Sequence, residues 1–198
     1  MKYRIKEIRV KQLFDVRSGD CHATAELDSG SVPLISCGDF TNGLVGYFDI
    51  PEKWIYSHAV TVAYNGSWPL TTKFHPYQFG AKDDVAVLVP ILPMKDAVML
   101  YVAALLNRMI WRYSYGRKCF KEKLQDVLLL MPVSREPEQD TIDDTLPEIL
   151  FKKALARVEE GTRASINDLF VTPNGARPEP RQTNLQLPST FSTNSQEA

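Results

Sequence analysis

DDVAVLVPILPMKDAVMLYVAALLNRMIWRYSYGRKCFKEK, residues 83–123, changes character twice, and the reading of the fold turns on it. Its opening is a near-continuous Val/Leu run, VAVLVP at 85–90, whose composition fits a strand buried on both faces. From Asp96 the spacing becomes three to four: Val98, Val102, Leu105, Met109 and Tyr113 fall on one stripe, which predicts an amphipathic helix over 96–113. Gly116 follows, suited to the left-handed geometry that ends a helix and lets the chain swing away. The last third is cationic. Arg108, Arg112, Arg117, Lys118, Lys121 and Lys123 stand against one acid, Glu122, in a chain of net charge −1. Crowded like charges repel one another, and a polyanion such as a nucleic-acid backbone relieves that repulsion. Long cations beyond a helix C-terminus also complement its dipole while staying solvated, so both roles remain open here.

Working upstream, residues 4–14 read as one short element with Ile5, Ile8, Val10 and Leu13 as core anchors. RSGDCHATAELDSG, with Gly19 and Gly30, is a polar loop. SVPLIS at 31–36 has strand composition, and Asn42-Gly43 between apolar runs is a hairpin signal, since both residues tolerate positive φ. SHAVTVAY at 57–64 reads as a strand, NGSWPL as a turn, and TTKFHPYQF at 71–79 as an aromatic-rich extended segment.

Working downstream, FKEKLQDVLLLMPV is a helical turn feeding a last strand that Pro132 stops. Glu136, Glu138, Asp140, Asp143, Asp144 and Glu148 then form an acidic linker without a cation, either solvated or acting as a DNA mimic that shields the basic turn. Thr145 and Glu148 fit a capping box opening a helix over 145–161 that buries Ile149, Leu150, Leu155 and Val158 and ends at Gly161. Beyond 171 the chain is Pro, Ser, Thr, Asn and Gln, with too little apolar surface to offset ordering entropy, so a disordered tail is expected. The resulting fold class is α+β: a mixed, mostly antiparallel twisted sheet, one long packed helix, a short C-terminal helical appendage and the tail.

At 198 residues and 44% hydrophobic, with nine Phe and eight Tyr, the chain can bury a real core. No apolar run approaches the ~18 residues a membrane span needs. Cys21, Cys37 and Cys119 match no metal template, so reduced thiols in a cytoplasmic protein are expected.

The order of these pieces resembles a known family. GSVPLIS at 30–36, NGLVGY at 42–47, a strand ending in Asn-Gly, an extended aromatic segment, VAVLVP at 85–90, a helix ending in YSYGRK, and a strand closing in Met-Pro occur in that sequence. Together they resemble the target recognition domain of restriction–modification DNA specificity (S) subunits, type I and BcgI-like type II, over about residues 5–133. The resemblance implies a non-catalytic module that reads one half-site of double-stranded DNA for a partner adenine methyltransferase or endonuclease. It divides the chain into a recognition domain at 1–133, an acidic linker and helical segment at 134–170, and the tail at 171–198. S subunits of type I carry two such domains separated by long coiled-coil helices. This chain holds one, and a homodimer is one way to supply the second.

Sequence reading of DNA needs phosphate contacts for register and side chains on base edges for identity. Arg117, Lys118, Lys121 and Lys123, flanked by Arg112 and Tyr115, suit phosphates. For bases, Arg17, Ser18, Asp20 and His22 lie in or beside the first polar loop, and Lys73, His75, Tyr77 and Gln78 alternate along 71–79. Gln and Arg offer bidentate partners for adenine and guanine. The plainer alternative makes His75-Pro76-Tyr77 an ordinary aromatic edge with a buried tyrosine, and Asn42 and Gly43 turn residues only.

Catalytic signatures are absent. His22, His58 and His75 have no metal-binding spacing, and His58 suits a structural role. There is no phosphate-binding glycine loop, no methyltransferase Asp/Asn-Pro-Pro-aromatic tetrapeptide and no spaced nuclease acid–acid–lysine set. Adjacent Cys21 and His22 do not project to a common reacting point. The expectation is therefore a non-enzyme that needs no cofactor or metal and reads DNA. The alternative is a protein–protein adaptor of the same fold, or a mobile-element homologue, that fills the specificity position without reading DNA.

Overall fold

The computed structural model describes residues 3–21, 23–66, 68–135 and 141–168, the side chains only as far as residue 160. His22, the acids Glu136, Glu138 and Asp140, and the segment 171–198 therefore lie outside the described residues. The elements are β1 (Tyr3–Arg9), α1 (Val10–Leu13), β2 (Phe14–Ser18), β3 (Ser29–Ile35), β4 (Leu44–Phe48), β5 (Ile55–Tyr56), β6 (Ala59–Ala63), β7 (Thr72–His75), β8 (Phe79–Ala81), β9 (Val85–Pro90), α2 (Asp96–Asn107), α3 (Lys121–Gln125), β10 (Leu128–Ser134) and α4 (Thr145–Asp168).

The architecture is α+β with mostly antiparallel pairing, distributed over three sheets: the ribbon β1-β10, a central sheet β2-β9-β6-β7, and a second sheet β4-β3-β8-β5. Among the described residues, the named strands pair antiparallel except β3 with β8, joined in parallel through Leu34–Gly80 and Ile35–Ala81. Strand β9 explains the layering. Its even residues Ala86 and Leu88 enter the main core with Val16, Val60, Val62, Val98, Met99 and Val102. Its odd residues Val85 and Val87 pack on Ile35, Phe79 and Ala81 of the second sheet. The central sheet is thus covered by α2, α3 and the ribbon on one side and by the second sheet on the other. Each fully buried Val or Leu in such a strand contributes about 1.5–3 kcal/mol, which is why so short a segment can organise two cores.

Residues 4–14 do not form one element. The single turn α1 separates β1 from β2, which join different sheets. Ile5 consequently sits half-exposed on the outer face of the ribbon, opposite the side that buries Ile8, and is not a core anchor. Pro132 does not stop β10, which continues to Ser134. Ser134 N–H and Pro132 C=O both face the segment 141–143, on the side away from β1. A proline there removes no bond to β1. The hairpin at Asn42-Gly43 forms as expected, with φ of 56° and 80°. A Cβ on Gly43 would lie 2.6 Å from the Ser36 carbonyl oxygen, so that position requires glycine for space as well as conformation.

By contacts the chain divides into two compact units, 1–154 and 155–198. Val133 bridges Ile142, and Lys95 Nζ lies 2.6 Å from Asp144 and 2.7 Å from Glu148. Because Glu148 is engaged by Lys95, the expected capping box is not made; the Asp143 carboxylate instead accepts the Thr145 N–H at 2.9 Å. Asp143, Asp144 and Glu148 are thereby fastened in place and are not a free acidic linker. Helix α4 continues past Gly161 to Asp168, and Ile149, Leu150, Leu155 and Val158 are exposed along it, not buried.

Candidate nucleic-acid interface

The predicted helix over 96–113 ends at Asn107. The Asn107 side chain accepts the Thr72 N–H at 2.8 Å and donates to the Thr72 carbonyl at 2.9 Å. A side chain committed to sealing the edge of β7 fixes where the helix stops. The chain then makes a 3₁₀ turn, Ile110–Arg112, drops Tyr113 against the core, and doubles back through a bridge between Ser114 and Arg117. Gly116 lies in that tight turn without positive φ, so it is not the left-handed cap of the helix. Burial, and then the hydrogen bond with the Cys119 thiol, push the Tyr113 phenol up to about 12, so both groups are neutral anchors under the basic turn.

Above those anchors the cations separate into two groups. Arg112, Arg117 and Lys123 line a depression of about 640 Å³ together with Glu122 and Asp126. Asp126 is itself engaged by Lys11 at 2.8 Å, which lowers its carboxyl pKa, with Arg9 further off at 3.9 Å. Lys118 turns the other way. Its ammonium bonds the Asn65 side-chain oxygen and lies 4.9 Å from the Tyr115 ring and 5.9 Å from the Phe120 ring. Lys121 opens α3 and is partly buried.

Asn65 brings Lys118 to the loop end of the central sheet. Strands β2 and β6 finish at this end, while β7 and β9 begin there, because Ser18 pairs with Ala86, Ala63 with Val85 and Val62 with Thr72. Gly19 N–H donates to Val85, and Tyr64 N–H to Asp84. Ser36 Oγ donates to the Asp84 carboxylate at 2.6 Å, holding the end of β3 to the same corner. Lys73 Nζ donates to the Gly38 carbonyl, and burial lowers the Lys73 pKa despite nearby Asp39. Ser18 and Lys73 therefore lie on opposite edges of the same end of the central sheet, where Asn65 also meets Lys118 beside the Tyr115 and Phe120 rings, with Trp68 exposed in the adjoining loop.

The remaining candidates are placed differently. Arg17, Val87, Thr61 and Lys73 form one row across the sheet. Arg17 and Lys73 thus stand on opposite edges, three strand spacings or about 14 Å apart, with the second sheet covering the residues between them. The Arg17 guanidinium is tied to Asp15 at 2.7 Å. Tyr77 and Gln78 follow the far end of β7, away from the basic turn, and both are exposed.

His75 is 0% exposed and presents no edge to solvent. Its Nδ1 accepts from Tyr77 OH at 3.1 Å and Asn42 Nδ2 at 3.3 Å, leaving Nε2–H to donate to Thr61 Oγ1 at 2.9 Å. Burial, with Lys73 adding to it, lowers its pKa to about 4. Its burial withdraws it as a base-reading candidate; the Tyr77 phenol, another candidate, is tied to it. His58 bonds Asp96 at 2.9 Å at the start of α2. Among the described residues no group of His, Cys, Asp or Glu is arranged to hold a metal, and no helix is long and apolar enough to cross a membrane.

Asn65, Trp111 and Phe120 were not legible as site residues: NGSWPL signals only a turn, and single aromatics beside a helix suggest core. The one clue was the density of aromatics among the cations.

Neither a family model nor a curated protein sequence matches the chain. Solved structures do. The S subunit of a type I restriction–modification system from M. genitalium superposes with a TM-score of 0.54 at 14% identity, over 82% of this chain and 43% of that one. The HsdS subunit from Thermoanaerobacter tengcongensis gives 0.54 at 15% identity, over 81% and 39%. A chain from a structure of type I restriction–modification assembly and conformational transition gives 0.56 at 16% identity, over 83% and 43%. The chain has the S-subunit fold. It spans about two-fifths of the length of the S subunits it matches.

Proposed function

We propose that this chain is a sequence-specific, double-stranded DNA recognition module of a restriction–modification system, itself non-catalytic, which directs a partner methyltransferase or endonuclease to its site. The observation that carries the reading is the meeting of the basic turn with the loop end of the central sheet through Lys118 and Asn65. Phosphates are held by Arg117, Lys118, Lys121 and Lys123, with Arg112 and Tyr115 beside them. These fix position without reading sequence. Bases are read by Arg17 and Ser18 at the end of β2 on one edge, by Lys73 at the start of β7 on the other, and by Tyr77 and Gln78 beyond β7. Tyr77 keeps its direction through His75.

The likeness of fold to type I S subunits supports this reading, as does a basic surface on a chain whose net charge is only −1. Partner binding falls to α4, whose Ile149, Leu150, Leu155 and Val158 are exposed. A second copy of the chain, docking there, supplies the second recognition domain. The protein works in the cytoplasm, where DNA is reached and thiols such as Cys37 stay reduced.

Selection from a randomised duplex pool at low salt tests the assignment. A short common sequence is expected to be enriched. Retention of no duplex at low salt would leave the adaptor reading, in which α4 does the work and DNA is not bound.

A further inference from the structure

We propose that the aromatic side chains of the basic turn hold a base of the bound DNA outside the helical stack, with Trp111 as the principal stacking ring. This rests on the DNA-reading assignment above and adds to it a distortion of the duplex.

Trp111 is 78% exposed, yet it sits on a fixed turn. Arg112 N–H donates to Met109 and Tyr113 N–H to Ile110, both at 2.9 Å, while Ile110 and Tyr113 pack on the main core beneath. An indole held out in water on a rigid support returns little to folding, because its apolar surface remains hydrated. The Arg112 guanidinium lies 5.2 Å from its ring centroid. The arrangement repeats a few residues on, where the Lys118 ammonium approaches the rings of Tyr115 and Phe120, themselves 76% and 49% exposed. Trp111, Tyr115 and Phe120, the exposed rings of the basic turn, are therefore each paired with a cation.

That pairing suits an unstacked nucleotide better than a base pair. A paired base shows the protein only its groove edges, which are read by hydrogen bonds. An extruded base shows a π-face, which any aromatic ring can stack on, and its phosphate is then met by the neighbouring cation. Insertion of such a ring at a base step also bends the duplex toward more contact. The polar loops of Ser18, Tyr77 and Gln78 carry hydrogen-bonding groups for edges; the basic turn carries rings.

The test compares a fully paired duplex with the same duplex carrying one extrahelical adenine, using the full chain. Since the cost of unstacking is already met in the second, it is expected to bind about 10-fold tighter. Trp111→Ala should abolish that preference, weakening binding to both duplexes but more to the one carrying the extrahelical adenine, while Trp111→Phe should keep it. Because Trp111 is exposed, an unchanged circular dichroism melt accompanies both variants. Equal binding of the two duplexes by the wild type, or a preference that survives Trp111→Ala, overturns the inference and leaves DNA reading intact. Binding to neither duplex overturns the assignment on which it rests.

Discussion

His75 is held by three hydrogen-bonding neighbours and titrates near 4, so it is neutral in the folded chain at pH 7. In the unfolded chain it takes up its proton near the ordinary 6.5. Between those two values the unfolded state binds more protons, so stability is complete above about pH 6.5 and declines as the pH falls toward 4. The loss attributable to this one group reaches up to ~3 kcal/mol. Urea unfolding from pH 7 to pH 4 should show this decline, and His75→Gln should remove most of it while costing stability at pH 7. An identical pH profile in the variant would mean that His75 titrates normally. The alternation along 71–79 was enough to place Lys73 and His75 on one face, and the register bears that out. It could not tell that a second sheet covers the face, because Ile35 arrives there from a strand some forty residues upstream. The basic turn was legible for the opposite reason: its cations are neighbours in sequence.

At the scale of elements, Asn107 does two jobs with one side chain. It ends α2 and pairs the backbone N–H and carbonyl of buried Thr72 at the edge of β7. Asn107→Leu keeps the size and raises the helix propensity but strands a buried N–H and carbonyl, at about 2–3 kcal/mol. Hydrogen exchange should report it as faster exchange in β7 with β9 unchanged, whereas a uniform loss across the central sheet would point to general unfolding. Strand β9 and the first three turns of α2 were readable because periodicity is set by burial, which both elements experience along their length. The end of α2 was not. Met109 and Tyr113 continue the apolar stripe into a 3₁₀ turn that still packs on the core, so the pattern persists after the helix has stopped. Similarly, α1 breaks residues 4–14 without leaving any glycine or proline as a signal.

For the whole molecule, the proposed docking face is the set of exposed apolar residues on α4. If a second copy docks on α4, sedimentation should give a dimer at micromolar concentration. Leu150→Glu with Leu155→Glu should then give a monomer whose melting temperature is unchanged, since both residues are exposed. A wild-type monomer would assign that face to another partner. The interface claim itself is tested most directly by the salt dependence of duplex binding. Each phosphate contact contributes about 0.9 to the slope of log affinity against log salt concentration. Arg117→Ala with Lys118→Ala should therefore weaken binding to every duplex sequence and flatten the slope by about 2. A double variant that binds more weakly or not at all differently, but keeps the wild-type slope, would remove the basic turn from the DNA interface.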